Sequence, residues 1–371
     1  MNNQRLEFAN ALRGLAALSV LISHYLGIFW FARPIAGILA NATVPDASVI
    51  PTPHLAVLLD AFPVATGPFG VALFFMISGF VIPFTFERTS VSGFIAGRIL
   101  RIYPLYMAGF TITLIALTLS GIASGKPFPY TFANVVVHYF PGLRDLVWLP
   151  SIDGIVWTLE IELKFYVVCA LIAPLLRQGR IWTFLVPMVL LATVQLGHGY
   201  PWGTLTKTLA LDSEYMLFMF CGVAFNFHSR GFFNLRTLAV VSLAVLAAFC
   251  AAMMISAEPI RSIYSYIAAF TLFALAASIS RSWPRFRLLS FFADISYPLY
   301  VVHGVMGYAL IAFMINRGFS PWTAISCATV LAIALAWLLH VLVEVRAHRI
   351  GKQLSKRLTD RSGLIPVARD A

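Results

Sequence analysis

The chain has 371 residues, of which 60% are hydrophobic and only 11% are charged, and its mean hydropathy is +0.85. Soluble domains are nearer half apolar and a quarter charged, so this composition excludes a water-soluble fold. The net charge of +11 is of the kind seen in nucleic-acid-binding proteins. Here, however, the positive residues lie in short segments between apolar runs, so we expect a membrane protein and no nucleic-acid partner.

Ten apolar runs are long enough to cross a bilayer, which takes about 20 mostly apolar residues. They predict an all-α, polytopic membrane bundle of about ten transmembrane helices. The runs cover approximately 12–31, 68–86, 102–121, 155–176, 181–197, 206–227, 237–256, 262–280, 291–315 and 321–345.

The distribution of Lys and Arg predicts the orientation of these helices. With the N-terminus inside, nineteen of the 26 positive residues fall on the cytoplasmic side and six on the outer side, and Lys164 lies within the fourth run. Both termini are therefore predicted to be cytoplasmic. Residues 1–345 form the embedded domain, and 346–371 form a basic tail, predicted to be an amphipathic or disordered segment on anionic lipid.

Two outer segments, 32–67 and 122–154, are long enough to shape an extracytoplasmic site. The first contains five prolines and is followed directly by Pro68, and these prolines argue against a regular helix there. No cleavable signal peptide is evident, because the first run contains Arg13 and exceeds the length of a signal h-region. The four cysteines show neither zinc-ligand spacing nor a disulfide pattern, so no metal is expected.

Arg13 and His24 are ionisable residues on the first run, where such residues are usually functional. Their separation of 11 positions corresponds to three helical turns plus roughly 20°, so both project from one face, roughly 16 Å apart along the axis. Two simpler interpretations stay open. Arg13 is also compatible with a positive-inside anchor, and His24 with a packed histidine bonded to a neighbouring helix.

Arg98 and Arg101 open the third run from the cytoplasmic side, followed by Tyr103. Their spacing of three places both on one face of a helix. Guanidinium groups bind phosphates bidentately, so Arg98, Arg101 and Arg13 together predict a phosphate site at the inner mouth. The alternative is a positive-inside anchor with interfacial tyrosines.

The fourth run begins with Trp157 and contains Glu160, Glu162 and Tyr166. Because the two glutamates are two positions apart, they diverge around the helix and do not form a catalytic carboxylate pair. One of them is expected to pair with Lys164 or with His24. A carboxylate beside the His24 imidazole would fix its tautomer.

Two further motifs carry polar groups into the bundle. Ser78-Gly79 in the second run is typical of a close helix contact, or it brings a hydroxyl near a ligand. Tyr297 and His303 lie in the ninth run, and Glu344 ends the tenth.

These motifs, in this order, resemble the acyltransferase-3 family of membrane-bound acyltransferases, which includes bacterial O-acetyltransferases of O-antigen, exopolysaccharide and Nod factors. The family patterns are similar to Arg13–His24, Phe74–Phe80, Arg98–Pro104, Trp157–Tyr166 and Ser296–His303. Three positions depart from them. Thr158 replaces the usual serine, Gly97 stands where many members carry another arginine, and Glu344 is followed by Val345-Arg346.

The resemblance implies an O-acyltransferase of the bacterial cytoplasmic (inner) membrane that moves an acyl group, acetyl by default, from cytoplasmic acyl-CoA to a glycan or glycolipid. It makes Glu162 the family glutamate. His24 would act as general base, oriented by Glu162 or another carboxylate, while Arg13, Arg98 and Arg101 hold the phosphates of acetyl-CoA. Ser78, Tyr103, Trp157, Tyr166, Tyr297 and His303 are expected to bind substrate or to support the site.

Direct transfer and an acyl-histidine intermediate both fit the sequence. A proton-coupled secondary transporter or a lipid-linked sugar flippase would also place histidines and carboxylates at mid-membrane.

Overall fold

A computed structural model shows the chain as a bundle of helices. It describes residues 4–147, 149–196, 203–280, 283–284 and 286–363, and the side chains of 7–147, 149–194, 212–280, 283–284 and 286–363. The end of the predicted tail, 364–371, lies outside the described residues. In chain order the helices are α1 (Gln4–Ile22), α2 (Arg33–Ala40), α3 (His54–Ala61), α4 (Thr66–Thr85), α5 (Val91–Ser124), α6 (Phe132–His138), α7 (Val156–Leu171), α8 (Ala173–Gln178), α9 (Leu185–Leu196), α10 (Gly203–Ser229), α11 (Leu235–Ile255), α12 (Ile260–Ser278), α13 (Arg287–Asp294), α14 (Ser296–Asn316), α15 (Pro321–Leu339) and α16 (Val345–Arg361).

Two π-helical turns interrupt this order. Ser23–Ile28 continues α1 and is followed by a last α-helical turn, Phe29–Phe31, and His340–Glu344 joins α15 to α16. A π-helical turn holds one residue more than an α-helical turn, and such turns are frequent at functional sites. The first one contains His24.

The multi-pass helical fold predicted from the apolar runs is confirmed. Within the described ranges, seven helical segments are long and apolar enough to cross a membrane. The remaining three predicted runs correspond to α7, α9 and α10. The total of ten and the cytoplasmic location of both termini stay predictions. The seven segments are Glu7–Phe31, Thr66–Thr85, Val91–Ser124, Leu235–Ile255, Ile260–Ser278, Ser296–Asn316 and Pro321–Arg361.

The expectation that prolines exclude a regular helix from 32–67 is wrong, because α2 and α3 form there. Pro34 lies in the first turn of α2, and Pro53 immediately precedes α3. At these positions a proline removes no hydrogen bond that the helix needs. Arg33 holds the segment together, since its guanidinium donates to the carbonyl oxygens of Trp30, Pro45 and Ile50 at 2.6–3.1 Å.

One other segment differs from its predicted form. The fourth run is not one helix, because α7 ends at Leu171 and α8 restarts at Ala173 with Pro174 in its first turn. The tail is helical and amphipathic up to Arg361, and its location on anionic lipid stays a prediction. It forms α16, which packs along the N-terminal part of α5.

Helices α4 and α14 occupy the centre of the bundle. Helix α4 packs on α1, α10 and α12, and α14 packs on α1, α5 and α15. The contact of α4 with α10 is especially close, because a Cβ atom at Gly79 would lie 1.9 Å from the carbonyl oxygen of Met219. We call the end of the bundle with Arg88 and α16 the basic end, and the end with α2, α3 and α6 the loop end.

Candidate active site

A narrow cavity of about 90 Å³ lies between α1, α4, α5, α7 and α14. Its wall is apolar apart from a small set of polar side chains that project into it. These are Arg13, Ser78, Arg98, Arg101, Thr158, Glu162, Tyr166, Ser296, Tyr297 and Tyr300. Seven of the residues predicted for the site, Arg13, Ser78, Arg98, Arg101, Glu162, Tyr166 and Tyr297, therefore meet in one place.

Three guanidinium groups give this cavity its positive charge. Arg98 donates to Thr85 Oγ1 at 3.2 Å and lies over the Tyr166 ring, 5.2 Å from its centre. Arg13 interacts electrostatically with Arg98, Arg101 and Glu162. One carboxylate faces three cations here, so the cavity favours an added anion.

The two glutamates of α7 project in different directions, as their spacing predicts. Glu162 Oε1 accepts hydrogen bonds from Ser78 Oγ, at 2.7 Å, and from the Tyr166 hydroxyl. Glu160 forms a two-pronged ion pair with Arg144. Only Glu162 is a wall residue of the cavity.

Lys164 does not pair with either glutamate. Its ammonium group is bonded to the carboxylates of Asp145 and Asp212. The segment that holds Arg144 and Asp145 thus runs beside α7, where Arg144 neutralises Glu160 and Asp145 joins Asp212 at Lys164.

The close helix contact predicted for Ser78-Gly79 is made by Gly79, whereas proximity of the Ser78 hydroxyl to a ligand stays a prediction. Gly79 allows the close approach of α4 to α10, whereas the hydroxyl of Ser78 turns the other way and binds Glu162. On a helix, adjacent residues lie about 100° apart, so one can pack while the other faces the cavity.

His24 and His303 form a second polar cluster. Their rings are 4.5 Å apart between centres and nearly perpendicular. His24 Nδ1 is hydrogen-bonded to the Tyr308 hydroxyl at 2.5 Å. His303 donates from Nδ1 to the carbonyl oxygens of Leu299 and Tyr300, both at 2.9 Å. His303 Nε2 is buried and has no hydrogen-bond partner in the described part of the chain.

The histidine cluster lies next to the cavity without belonging to its wall. Tyr300 lines the cavity, and its ring centre is 5.9 Å from that of His303. His24 is one side chain further on. Arg13 and His24, which the sequence places on one face of the first run, thus differ in position, since Arg13 lines the cavity and His24 lies outside its wall.

We expected a carboxylate beside His24. In the structure, the group bonded to His24 Nδ1 is a hydroxyl instead. Tyr308 occupies that position, while Glu162 is bonded to Ser78 and Tyr166. No sequence pattern marked Tyr308, because its contact with His24 depends on how α14 packs against α1. Thr158 and Tyr300, which are bonded to each other, were also not predicted.

The remaining predicted residues have packing or bracing contacts. Trp157 packs on Tyr215 with ring centres 5.5 Å apart. Tyr103 donates to the carbonyl oxygen of Pro141 at 2.9 Å, outside the cavity. Tyr297 faces the cavity and donates to the carbonyl oxygen of Ile102 at 3.0 Å.

The structure is thus that of a multi-pass helical bundle with a cationic cavity beside a histidine pair. The model of the acyltransferase-3 family, described as "Acyltransferase domain", matches residues 6–341. The chain belongs to this family.

One curated relative gives a further comparison. Nodulation protein 10 of Rhizobium leguminosarum bv. viciae is 24% identical over 316 residues, which cover 77% of this chain and 85% of that protein. No solved structure matches the chain significantly. The protein is therefore a membrane-embedded acyltransferase by family, with a relative named for nodulation.

Proposed function

We propose that this protein is an O-acyltransferase of the bacterial cytoplasmic membrane that transfers an acyl group, acetyl by default, from cytoplasmic acyl-CoA to a hydroxyl of an extracytoplasmic or lipid-linked glycan. One observation carries the proposal. Arg13, Arg98 and Arg101 line the same narrow cavity, and two imidazoles lie directly beyond its wall.

The three arginines suit the phosphates of acyl-CoA, since guanidinium groups bind phosphate bidentately. The apolar wall and the small volume of the cavity suit a slender chain-like arm rather than a bulky ring system. Along α1, Arg13 and His24 are separated by roughly 16 Å. The pantetheine arm is long enough to carry a thioester over that distance.

His24 is the general base of the proposed reaction. In the required tautomer, Nδ1 donates to the Tyr308 hydroxyl and Nε2 keeps its lone pair. Nε2 takes the proton of the acceptor hydroxyl while the hydroxyl oxygen attacks the thioester carbonyl. The new C–O bond forms, the C–S bond breaks, and the proton passes to the departing CoA thiolate.

His303 gives this step a second acceptor. Its Nδ1 proton is committed to two backbone carbonyl groups, so the lone pair of Nε2 is available. A buried acceptor without a donor is unfavourable, and a second hydroxyl of the bound sugar would satisfy it. His24 would then bind the attacking hydroxyl and His303 a neighbouring one, so that together they orient the sugar, which favours direct transfer over an acyl-histidine intermediate.

The acceptor is proposed to enter from the loop end. A second cavity of about 250 Å³ lies there, lined by Ser23 and Gly27 of the π-helical turn and by Asp60 and Arg261. Asp60 and Arg261 form an ion pair at 2.5 Å that joins α3 to α12. Polar groups at this site suit a sugar, which is bound through its hydroxyls.

The test is transfer of label from acetyl-CoA, carrying a radioactive acetyl group, to glycan fractions of the host by the purified protein. We expect label in one fraction and none with His24→Ala. Glycan movement across proteoliposomes without consumption of acetyl-CoA would identify a flippase instead. Proton-coupled uptake without thioester cleavage would identify a transporter.

A further inference from the structure

The C-terminal helix α16 is fixed against the N-terminal part of α5 at the basic end. Glycines bring the two helices together, since a Cβ atom at Gly93 would lie 2.7 Å from the carbonyl oxygen of Ser355. A Cβ atom at Gly351 would lie 3.3 Å from Leu100 Cβ. The backbone N–H of Ser90 also donates to Thr359 Oγ1 at 3.1 Å. Helix α16 is therefore an integral part of the folded bundle.

A groove of about 490 Å³ remains between α16 and α5. We call it the basic groove, because six of its wall residues are basic and one, Asp360, is acidic. His348, Lys352 and Lys356 follow one another at intervals of four and so project from one face of α16. Its volume is within the range of small-molecule sites. The basic residues are Arg88, Arg98, Arg101, His348, Lys352 and Lys356.

The charges of the basic groove lack the compensation seen elsewhere in the bundle. Across the described ranges, no carboxylate lies within ion-pair distance of Arg88, Arg101, Lys352 or Lys356. In contrast, four other cations of the bundle have carboxylate partners. The pairs are Arg144 with Glu160, Lys164 with Asp145 and Asp212, Arg230 with Glu87, and Arg261 with Asp60.

The basic groove and the narrow cavity share Arg98 and Arg101 as wall residues. The cavity is too small for a nucleotide, and the groove beside it is several times larger. We infer that the basic groove binds the phosphorylated adenosine half of acyl-CoA, with Lys352 and Lys356 of α16 contacting its phosphates. The pantetheine arm then passes Arg98 and Arg101 into the cavity. This inference rests on the proposed function and assigns the donor site to α16.

Headgroups of anionic lipids present the same phosphate chemistry. The nucleotide is favoured because the groove leads into a cavity that fits the remainder of the donor. The two sources are distinguished by measuring binding in nanodiscs of phosphatidylcholine alone and in nanodiscs that also contain phosphatidylglycerol.

The experiment compares two double variants of the full-length protein that remove equal charge from the same helix. Lys352→Ala with Lys356→Ala changes the groove. Arg346→Ala with Arg357→Ala changes exposed residues of α16 outside the groove wall. The readout is binding of radiolabelled CoA, displaced by adenosine 3′,5′-bisphosphate. We expect the lysine variant to bind CoA at least about tenfold more weakly and the arginine variant to bind like the wild type.

Kinetics separate binding of the nucleotide from catalysis. For the lysine variant, the KM for acetyl-CoA should rise about tenfold with little change in kcat. Its activity with acetyl-pantetheine, which lacks the nucleotide, should equal that of the wild type.

Equal CoA affinity of both double variants would overturn the inference. So would a loss of binding seen only when phosphatidylglycerol is present. Binding of CoA to the groove without any acyl transfer would support the inference and refute the proposed function.

Discussion

The rings of His24 and His303 meet edge to face, with planes 84° apart. Backbone carbonyl groups fix the proton of His303 on Nδ1, whereas His24 is held by a tyrosine hydroxyl. The two imidazoles therefore have different environments although they touch. The proton of His303 is fixed on Nδ1, so its Nε2 can only accept a hydrogen bond. His24 has a hydroxyl partner that can either donate or accept, which a base that changes its protonation state requires.

His24→Ala should lower the transfer rate by about 10²- to 10⁴-fold, because the general base is lost. Tyr308→Phe should lower it by only roughly tenfold, since the base remains and only its hydrogen bond is removed. Initial rates with labelled acetyl-CoA, at equal amounts of protein in the membrane, measure both effects. Wild-type turnover by the His24 variant would remove His24 from the mechanism.

The two glutamates of α7 should respond differently to the same change. Glu162→Gln should reduce transfer, because Glu162 is the carboxylate that faces the three arginines of the cavity. It should lower the melting temperature in detergent less than the Glu160 change does, because the hydrogen-bond partners of Glu162 are neutral hydroxyls. Glu160→Gln should destabilise the protein by about 3–5 kcal/mol, because it leaves Arg144 without its carboxylate. The comparison fails if both variants lose stability equally or both lose only activity.

Gly79→Ala should destabilise the bundle, because the added methyl group would overlap the backbone of α10 at Met219. Gly304→Ala is the matched control in a helix, where the nearest atom to the new Cβ would lie at an ordinary 3.4 Å. Thermal unfolding followed by tryptophan fluorescence measures the difference. A Gly79 variant as stable as the Gly304 variant would show that α4 and α10 are not in such close contact.

Acid should weaken the start of α7 through Asp153. Burial raises the pKa of the Asp153 carboxyl, but the His138 imidazole and the N–H groups of Val156 and Ile155 outweigh that effect, so the net pKa lies below its ordinary value. A lowered folded-state pKa contributes stability that is complete above the unfolded value of about 3.9 and is lost as the pH falls through the folded value.

Asp153→Asn removes this titration, so the variant should lose less stability than the wild type when the pH is lowered below about 4. Melting temperatures across that range measure the effect. Parallel curves for the two proteins would assign the acid sensitivity to other carboxyls.

The helices, and the face of a helix on which its polar residues lie, were predictable from sequence because they depend on local order. Apolar runs set the spans, and a spacing of three set Arg98 and Arg101 on one face. A spacing of two likewise separated Glu160 from Glu162. Each of these relationships lies within a single helix, where geometry follows from position in the chain.

What the sequence did not predict depends on contacts between distant segments. Tyr308 reaches His24 across 284 positions, and Thr359 reaches Ser90 across 269. The effect of the prolines at α2 and α3 on helix formation was predicted wrongly. A proline at the start of a helix is tolerated, whereas a proline inside a helix is not. The π-helical turn at His24 likewise has no marker in its residues.

The ion pairs of Lys164 have a consequence for how the protein enters the membrane. Asp145 precedes Lys164 in the chain, but Asp212 follows it by 48 positions on α10. During synthesis, α7 thus reaches the bilayer with Asp145 already made, so Lys164 can enter as a neutral pair. Asp212 adds a second carboxylate only when α10 follows. The arrangement of charges around Lys164 is therefore completed by packing of α10 against α7, after α7 itself has been made.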